Sequence, residues 1–221
     1  MIRVLVLRPE PGASATVKQA RELGLEVVAV PLFEIEPVEW AAPEPSAFDG
    51  LLLTSANALR HGGEQLHEVR GLPVYAVGKA TAEAARDAGF DIAATGDAGM
   101  DSLLGSIEPD FRLLHLCGVD RREAEDARQD ITVVEVYRSR PISSPDLSSA
   151  GNGVVLIHSP RAGRRFADLV EDRASIRIAA ISKGAADAAG NGWKSIDVAE
   201  QPSDHALLAL AACLCNNSQP K

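Results

Sequence analysis

An internal repeat constrains this chain more than any other feature. Leu51-Leu-Leu-Thr-Ser-Ala-Asn-Ala58 resembles Val155-Leu-Ile-His-Ser-Pro-Arg-Ala162, and Tyr75-Ala-Val-Gly-Lys-Ala-Thr-Ala-Glu-Ala-Ala85 resembles Ala179-Ala-Ile-Ser-Lys-Gly-Ala-Ala-Asp-Ala-Ala189. Ser159 follows Ser55, and Lys183 follows Lys79, by the same 104 residues. A period this long is not that of a solenoid, whose units recur about every 20–50 residues. Any two strand–helix units look alike to some degree, but chance likeness does not keep one offset. The chain therefore reads as two copies of an α/β lobe.

The apolar pattern supports that reading. Strand-like runs at Ile2–Leu7, Glu26–Val30, Gly50–Leu53, Val74–Val77, Leu113–Leu116, Val154–Ile157 and Ile176–Ile181 alternate with helical patterns. The helices fall at Ala13–Leu23, from about Ala56, and at Thr81–Ala88, Arg161–Val170, Ala185–Ala189 and His205–Cys213. Such alternation argues for parallel sheets built from βα units, with eight or so strands in all. Two further stretches, Val28–Val38 and Ile131–Pro141, are long for single core strands and carry prolines, which favour edges and linkers because they cannot donate to a ladder. The expected architecture is α/β, with two flavodoxin-like lobes of parallel sheets joined by a two-stranded antiparallel linker. Residues 1–35 and 141–221 make a discontinuous lobe one, 39–130 an inserted lobe two, and 31–38 with 133–140 the linker strands.

Composition narrows the function. With 31 acidic against 22 basic residues the net charge is −9, and no run of Lys or Arg supplies a basic stripe, so a nucleic-acid partner is not expected. Aromatics are only 4%, too few for base-stacking platforms. No apolar segment approaches the ~18–20 residues of a membrane span, and no secretory leader stands at the start, so the expected location is the cytoplasm. Cys117, Cys213 and Cys215 read as free thiols, and the histidines are too scattered for zinc spacing, so no metal site is expected.

Six turns place small, polar or basic residues between a strand and a following helix: Arg8–Gly12, Thr54–Asn57, Gly78–Thr81, Gly118–Arg122, Ser159–Arg161 and, in degenerate form, Ser182–Gly184. In an open parallel sheet these turns lie at the carboxyl edge, where ligands bind. Helix N-termini there hold carboxylates through unpaired N–H groups and the macrodipole. Thr54, Ser55 and Ser159 are also expected as helix caps. The candidate binding residues are Arg8, Thr54, Ser55, Asn57, Gly78, Lys79, Thr81, Gly118, Arg121, Arg122, Ser159, Pro160, Arg161, Ser182 and Lys183, which together point to a multiply anionic ligand. No phosphate loop or dinucleotide fingerprint occurs, which disfavours a nucleotide. With no Ser/His/Asp set or recognisable nucleophilic cysteine, any catalysis must rest on positioning and modest acid–base help. Tyr137 in the linker is the candidate for that help, although a tyrosine in a strand is ordinarily a packing residue.

The order of Arg8-Pro9, Leu53-Thr-Ser-Ala-Asn57, Val77-Gly-Lys-Ala-Thr-Ala82 with Gly89-Phe90, Leu116-Cys-Gly-Val-Asp-Arg-Arg122, Val136-Tyr137 and Ile157-His-Ser-Pro160 resembles the uroporphyrinogen-III synthase family over essentially the whole chain. No single motif is distinctive; their order and spacing are. The resemblance implies a cofactor-free monomeric lyase whose substrate is hydroxymethylbilane, a flexible carboxylate-rich linear tetrapyrrole over which hinged lobes can close. It implies loss of water to an azafulvene, attack by the substituted carbon of ring D, and reclosure with ring D inverted. It also matches Tyr137 to the family's tyrosine. Two departures stand out: Ser182-Lys-Gly184 replaces a Gly-x-x-Thr, leaving Thr81 without a counterpart, and Leu7 precedes Arg8 where Thr is common. A two-lobed module that binds an anionic small molecule without chemistry is the competing expectation.

Overall fold

The computed structural model describes residues 2–216. In chain order its elements are β1 (Arg3–Val6), α1 (Gly12–Glu22), β2 (Glu26–Ala29), β3 (Phe33–Pro37), β4 (Gly50–Leu53), α2 (Asn57–His61), β5 (Val74–Val77), α3 (Lys79–Asp87), β6 (Ile92–Gly96), α4 (Met100–Leu104), β7 (Arg112–Gly118), β8 (Asp130–Pro141), β9 (Val154–Ile157), α5 (Pro160–Leu169), β10 (Arg177–Ala180), α6 (Lys183–Ala189), β11 (Ser195–Val198) and α7 (Asp204–Asn216). No helix among the described residues is long and apolar enough to cross a membrane. The apolar runs of the sequence become the central strands, apart from Glu26–Val30, which becomes the edge strand β2. β6 and β11 were not legible there, because both are outermost strands, half-buried and without a continuous apolar run.

The chain divides into two compact units, one of residues 1–34 and 141–221 and one of residues 35–140. The first holds a parallel sheet in the order β11-β10-β9-β1-β2. Side chains alternate across it, as the strand period of two requires. Leu5, Leu7, Val155, Ile157 and Ile178 pack on one side with Phe166 of α5 and Ala185 of α6. Val4, Val6, Val154, Leu156 and Ala179 pack on the other with Ala13 and Val17 of α1 and Leu207 and Leu208 of α7. Burial on both faces explains why these strands read as unbroken apolar runs.

The second unit is built on a six-stranded sheet in the order β3-β8-β7-β4-β5-β6. Leu51, Leu53, Val74, Leu114, Leu116 and Val136 meet Ala58 of α2 and Ala82 and Ala85 of α3 on one face. Leu52 and Leu113 meet Leu103 and Leu104 of α4 on the other. The two stretches expected as antiparallel linker strands, β3 and β8, do pair with each other, and through β8 they continue this sheet. β8 runs parallel to β7 along most of its length, and its other edge pairs with β3, the one antiparallel partnership. A 12-residue strand is satisfied here because both of its edges find partners.

Numbered within each unit, the first sheet has the order 2-1-3-4-5 and the second, leaving β3 aside, 3-2-1-4-5, the two common doubly wound orders. In space they match strand for strand: β2-β1-β9-β10-β11 against β8-β7-β4-β5-β6. Only the starting strand differs, so the units are related by circular permutation. The repeat of 104 residues superposes β4 and β5 on β9 and β10. One element breaks the match: α1 joins β1 to β2, whereas residues 119–129, joining β7 to β8, form no helix.

Candidate active site

In the second unit the strand order reverses between β4 and β7, and the carboxyl ends of those strands deliver Thr54, Ser55 and Gly118 to one place. Tyr137 joins them through a bulge. Cys117 of β7 pairs with Glu135, but Gly118 pairs with Tyr137, so Val136 is the extra residue. Bulges re-aim side chains. Val136 and Tyr137 accordingly both pack against the α2/α3 face, where a regular pleat would send them to opposite sides. The phenol ring fills the space above Gly118: a β-carbon there would stand 2.6 Å from Tyr137 Cε2. The His61 ring lies 6.3 Å from it, centroid to centroid. Burial raises the phenol's pKa above its ordinary value, with a hydrogen bond to Ser55 partly offsetting, so the Tyr137 phenol keeps its proton at neutral pH.

A cavity of about 250 Å³ is lined by Thr54, Ser55, Met100, Gly118, Asp120, Arg121, Arg122 and Tyr137. Ser55 Oγ accepts the Asn57 amide at 3.2 Å, but the N-cap position of α2 is Ala56, which has no side-chain cap, so Ser55 makes a local turn bond one residue ahead of the cap. Thr54 does not cap; its hydroxyl instead hydrogen-bonds His115 Nε2 at 3.1 Å, because it points along the sheet face toward the neighbouring strand. Nor does the Gly118–Arg122 turn open a helix. Its charged side chains settle the chain as a loop: Arg121 pairs with Glu135 at 2.7 Å, Arg122 with Glu125 at 2.7 Å, and the Glu125 amide donates to Asp101. Buried Gln129 anchors the loop by donating to the carbonyls of Leu104, Ile107 and Glu108.

Beyond β5, Gly78 adopts a φ of +83°, a conformation few other residues accept, and leads into α3 without a side-chain cap. Lys79 is exposed and has no ion pair among the described residues. Thr81 is only 6% exposed, on the inner side of α3.

In the first unit the basic candidates are engaged internally. Arg8 donates to Asp204 at 2.7 Å, and Thr16 to the same carboxylate at 3.1 Å. His158 lies 3.6 Å from Asp204. Burial, with the nearby Arg8 charge, lowers its pKa. Ser159 and Ser182 cap α5 and α6 by accepting the Ala162 and Ala185 amides, and Pro160 takes the first helical position. Arg161 stacks over Phe33 at 4.5 Å, and Lys183 pairs with Asp187 one turn on.

The sequence reading missed His115, Gln129 and Met100. His115 had a signal: a polar residue inside Leu113-Leu-His-Leu-Cys117, a strand otherwise apolar.

Two doubly wound α/β units, one of which gathers a tyrosine and two hydroxyls at its strand-order reversal, define a two-unit α/β protein with a candidate small-molecule site at the carboxyl edge of a sheet. The chain belongs to the uroporphyrinogen-III synthase family of tetrapyrrole biosynthesis: the family model described as uroporphyrinogen-III synthase HemD matches residues 14–209. Among curated proteins, the uroporphyrinogen-III synthase of Chlorobaculum parvum (strain DSM 263 / NCIMB 8327) is 35% identical over 92 residues, 38% of this chain and 37% of that relative. Among solved structures, uroporphyrinogen-III synthetase from Helicobacter pylori 26695 aligns with 97% of this chain and 100% of its own at a TM-score of 0.71 and 18% identity. A mutant uroporphyrinogen III synthase from the extremely thermophilic bacterium Thermus thermophilus aligns with 98% of this chain and 100% of its own at 0.54 and 18% identity. These structural likenesses carry the fold.

Proposed function

We infer that this chain closes hydroxymethylbilane into uroporphyrinogen III with loss of water and inversion of ring D, acting as a cyclising hydro-lyase without a cofactor. Family membership over residues 14–209 supports the reaction. The observation that carries the site is the half-buried Tyr137 phenol beside Ser55 and Gly118 on the wall of the cavity. With its pKa raised, the phenol holds its proton until the hydroxymethyl group of ring A departs, then gives it to the leaving hydroxyl. The proton is returned when the last pyrrole regains aromaticity, so none is consumed overall. Thr54 and Ser55 supply further hydrogen bonds to the substrate. Of the basic candidates, exposed Lys79 beside the uncapped start of α3 is the best placed to meet a substrate carboxylate. Unassisted closure proceeds without inversion, so the protein's task is to hold the chain in the conformation that reaches the spiro intermediate.

The same reading makes the protein a cytoplasmic monomer with no nucleic-acid partner, in keeping with its net charge of −9. The test is to incubate the purified chain with hydroxymethylbilane and nothing else, then separate the uroporphyrinogen isomers. Type III product is expected. Type I alone, as forms without enzyme, overturns the reading.

A further inference from the structure

A histidine within a leucine-rich strand needs a physical reason. His115 is 3% exposed. Burying an imidazole forgoes hydration that only hydrogen bonds replace, and its bond runs to the Thr54 hydroxyl, 3.1 Å from Nε2.

The fold itself does not ask for a histidine here. Strand register pairs Leu52 with His115 in one unit and Leu156 with Val6 in the other. Leu52 and Leu156 are separated by the repeat offset of 104, so Val6 holds in the first unit the place that His115 holds in the second. Val6 is fully buried in the cluster that α1 covers. Over His115 there is no such helix. Residues 119–129 leave a cavity of about 310 Å³, lined in part by His115, Arg121, Gln129 and Val133, that shares Met100, Arg121 and Arg122 with the cavity beside Tyr137. An aliphatic side chain suits this strand position where a helix covers it; the polar one appears where the site is.

A threonine hydroxyl turns freely unless a partner fixes it. Thr54 is on the wall of the candidate cavity, next in sequence to Ser55, and an imidazole buried in the sheet offers it a rigid partner. Burial, and secondarily the Arg121 charge, lowers the pKa of His115 to about 4, so the imidazole is neutral wherever the enzyme would work and the bond keeps one character.

We propose that His115 is a positioning residue for the cyclisation, holding the Thr54 hydroxyl toward the cavity so that Thr54 hydrogen-bonds hydroxymethylbilane beside Tyr137. The proposal rests on the activity inferred above. It is tested with His115→Val, the residue that the first unit uses at this place, together with Thr54→Val and the double variant, measuring kcat, KM and the unfolding midpoint of each.

The expected result is a folded His115→Val protein, with kcat/KM about tenfold lower, the size of one oriented hydrogen bond. Thr54→Val should fall by a similar factor, and the double variant no further than either, because the two residues act as one unit. Unchanged kcat/KM in His115→Val overturns the proposal. So do losses that multiply in the double variant, and so does a His115→Val chain that fails to fold, which would assign the histidine to the core. An unsubstituted protein that yields only type I isomer is a different failure, that of the activity itself.

Discussion

The ring of Tyr137 occupies the space that a side chain on Gly118 would need, its Cε2 standing 2.6 Å and its hydroxyl oxygen 3.1 Å from where a β-carbon would be. The glycine is thus the seat of the phenol. Gly118→Ala must push the ring away, and if the phenol is the acid of the proposed reaction, misplacing it by about 1 Å can cost on the order of 10²-fold. We expect turnover to fall about that far while the unfolding midpoint drops by no more than a few degrees. Steady-state kinetics beside thermal unfolding check it.

Tyr137→Phe keeps the ring and removes only the hydroxyl. If the phenol protonates the leaving hydroxyl, turnover falls by about 10²–10⁴-fold, the usual worth of general acid help. The product that remains is still type III, because inversion depends on how the whole substrate is held. Full activity with an unchanged midpoint would exclude the acid role, and a collapsed midpoint would make Tyr137 a packing residue.

Acid should weaken the fold in two stages. Burial lowers the pKa of His115 to about 4 and also lowers that of His158. Below about pH 6.5 the unfolded chain takes up protons that the folded imidazoles do not, so stability falls with pH from about 6.5 down to 4. For His115 the loss is on the order of a few kcal/mol. The second stage comes from Asp49, held at about 2 chiefly by hydrogen bonds from Arg112; its contribution is present above about pH 4 and is lost as pH falls toward 2. Denaturant unfolding across this range should show a declining midpoint, with a shallower first stage in His115→Val.

Gln129→Leu removes the amide that ties the 119–129 loop to the carbonyl of Leu104 at the end of α4 and to those of Ile107 and Glu108 just beyond it. The Leu104 and Glu108 carbonyls keep backbone donors in the Ile107 and Phe111 amides, so the cost falls on the Ile107 carbonyl, about 1–3 kcal/mol for a buried acceptor left without a donor. The variant should unfold earlier, and amide hydrogen exchange should quicken in residues 119–129 before it does in β7. Unchanged exchange there would show that the Arg121 and Arg122 ion pairs hold the loop alone.

Much of this was written locally. Apolar runs such as Val4-Leu-Val6 and Leu51-Leu-Leu53 can be buried only on both faces, so they determined the parallel sheets and the helices beside them. The shared offset of the repeat determined that there are two such units, and Ser159 before Pro160 determined a cap, since those interactions span three or four residues. The tertiary structure decided what depends on strand register. It placed Tyr137 over Gly118 by a single extra residue at Val136, brought Thr54 within reach of His115, and turned Arg8 toward Asp204 rather than toward solvent. It also left the β7–β8 connection without the helix that its counterpart has. Each of these joins residues distant in the chain or differs between near-equal local alternatives. A one-residue shift of pairing changes the face on which every later side chain stands, and nothing in the local sequence records that shift.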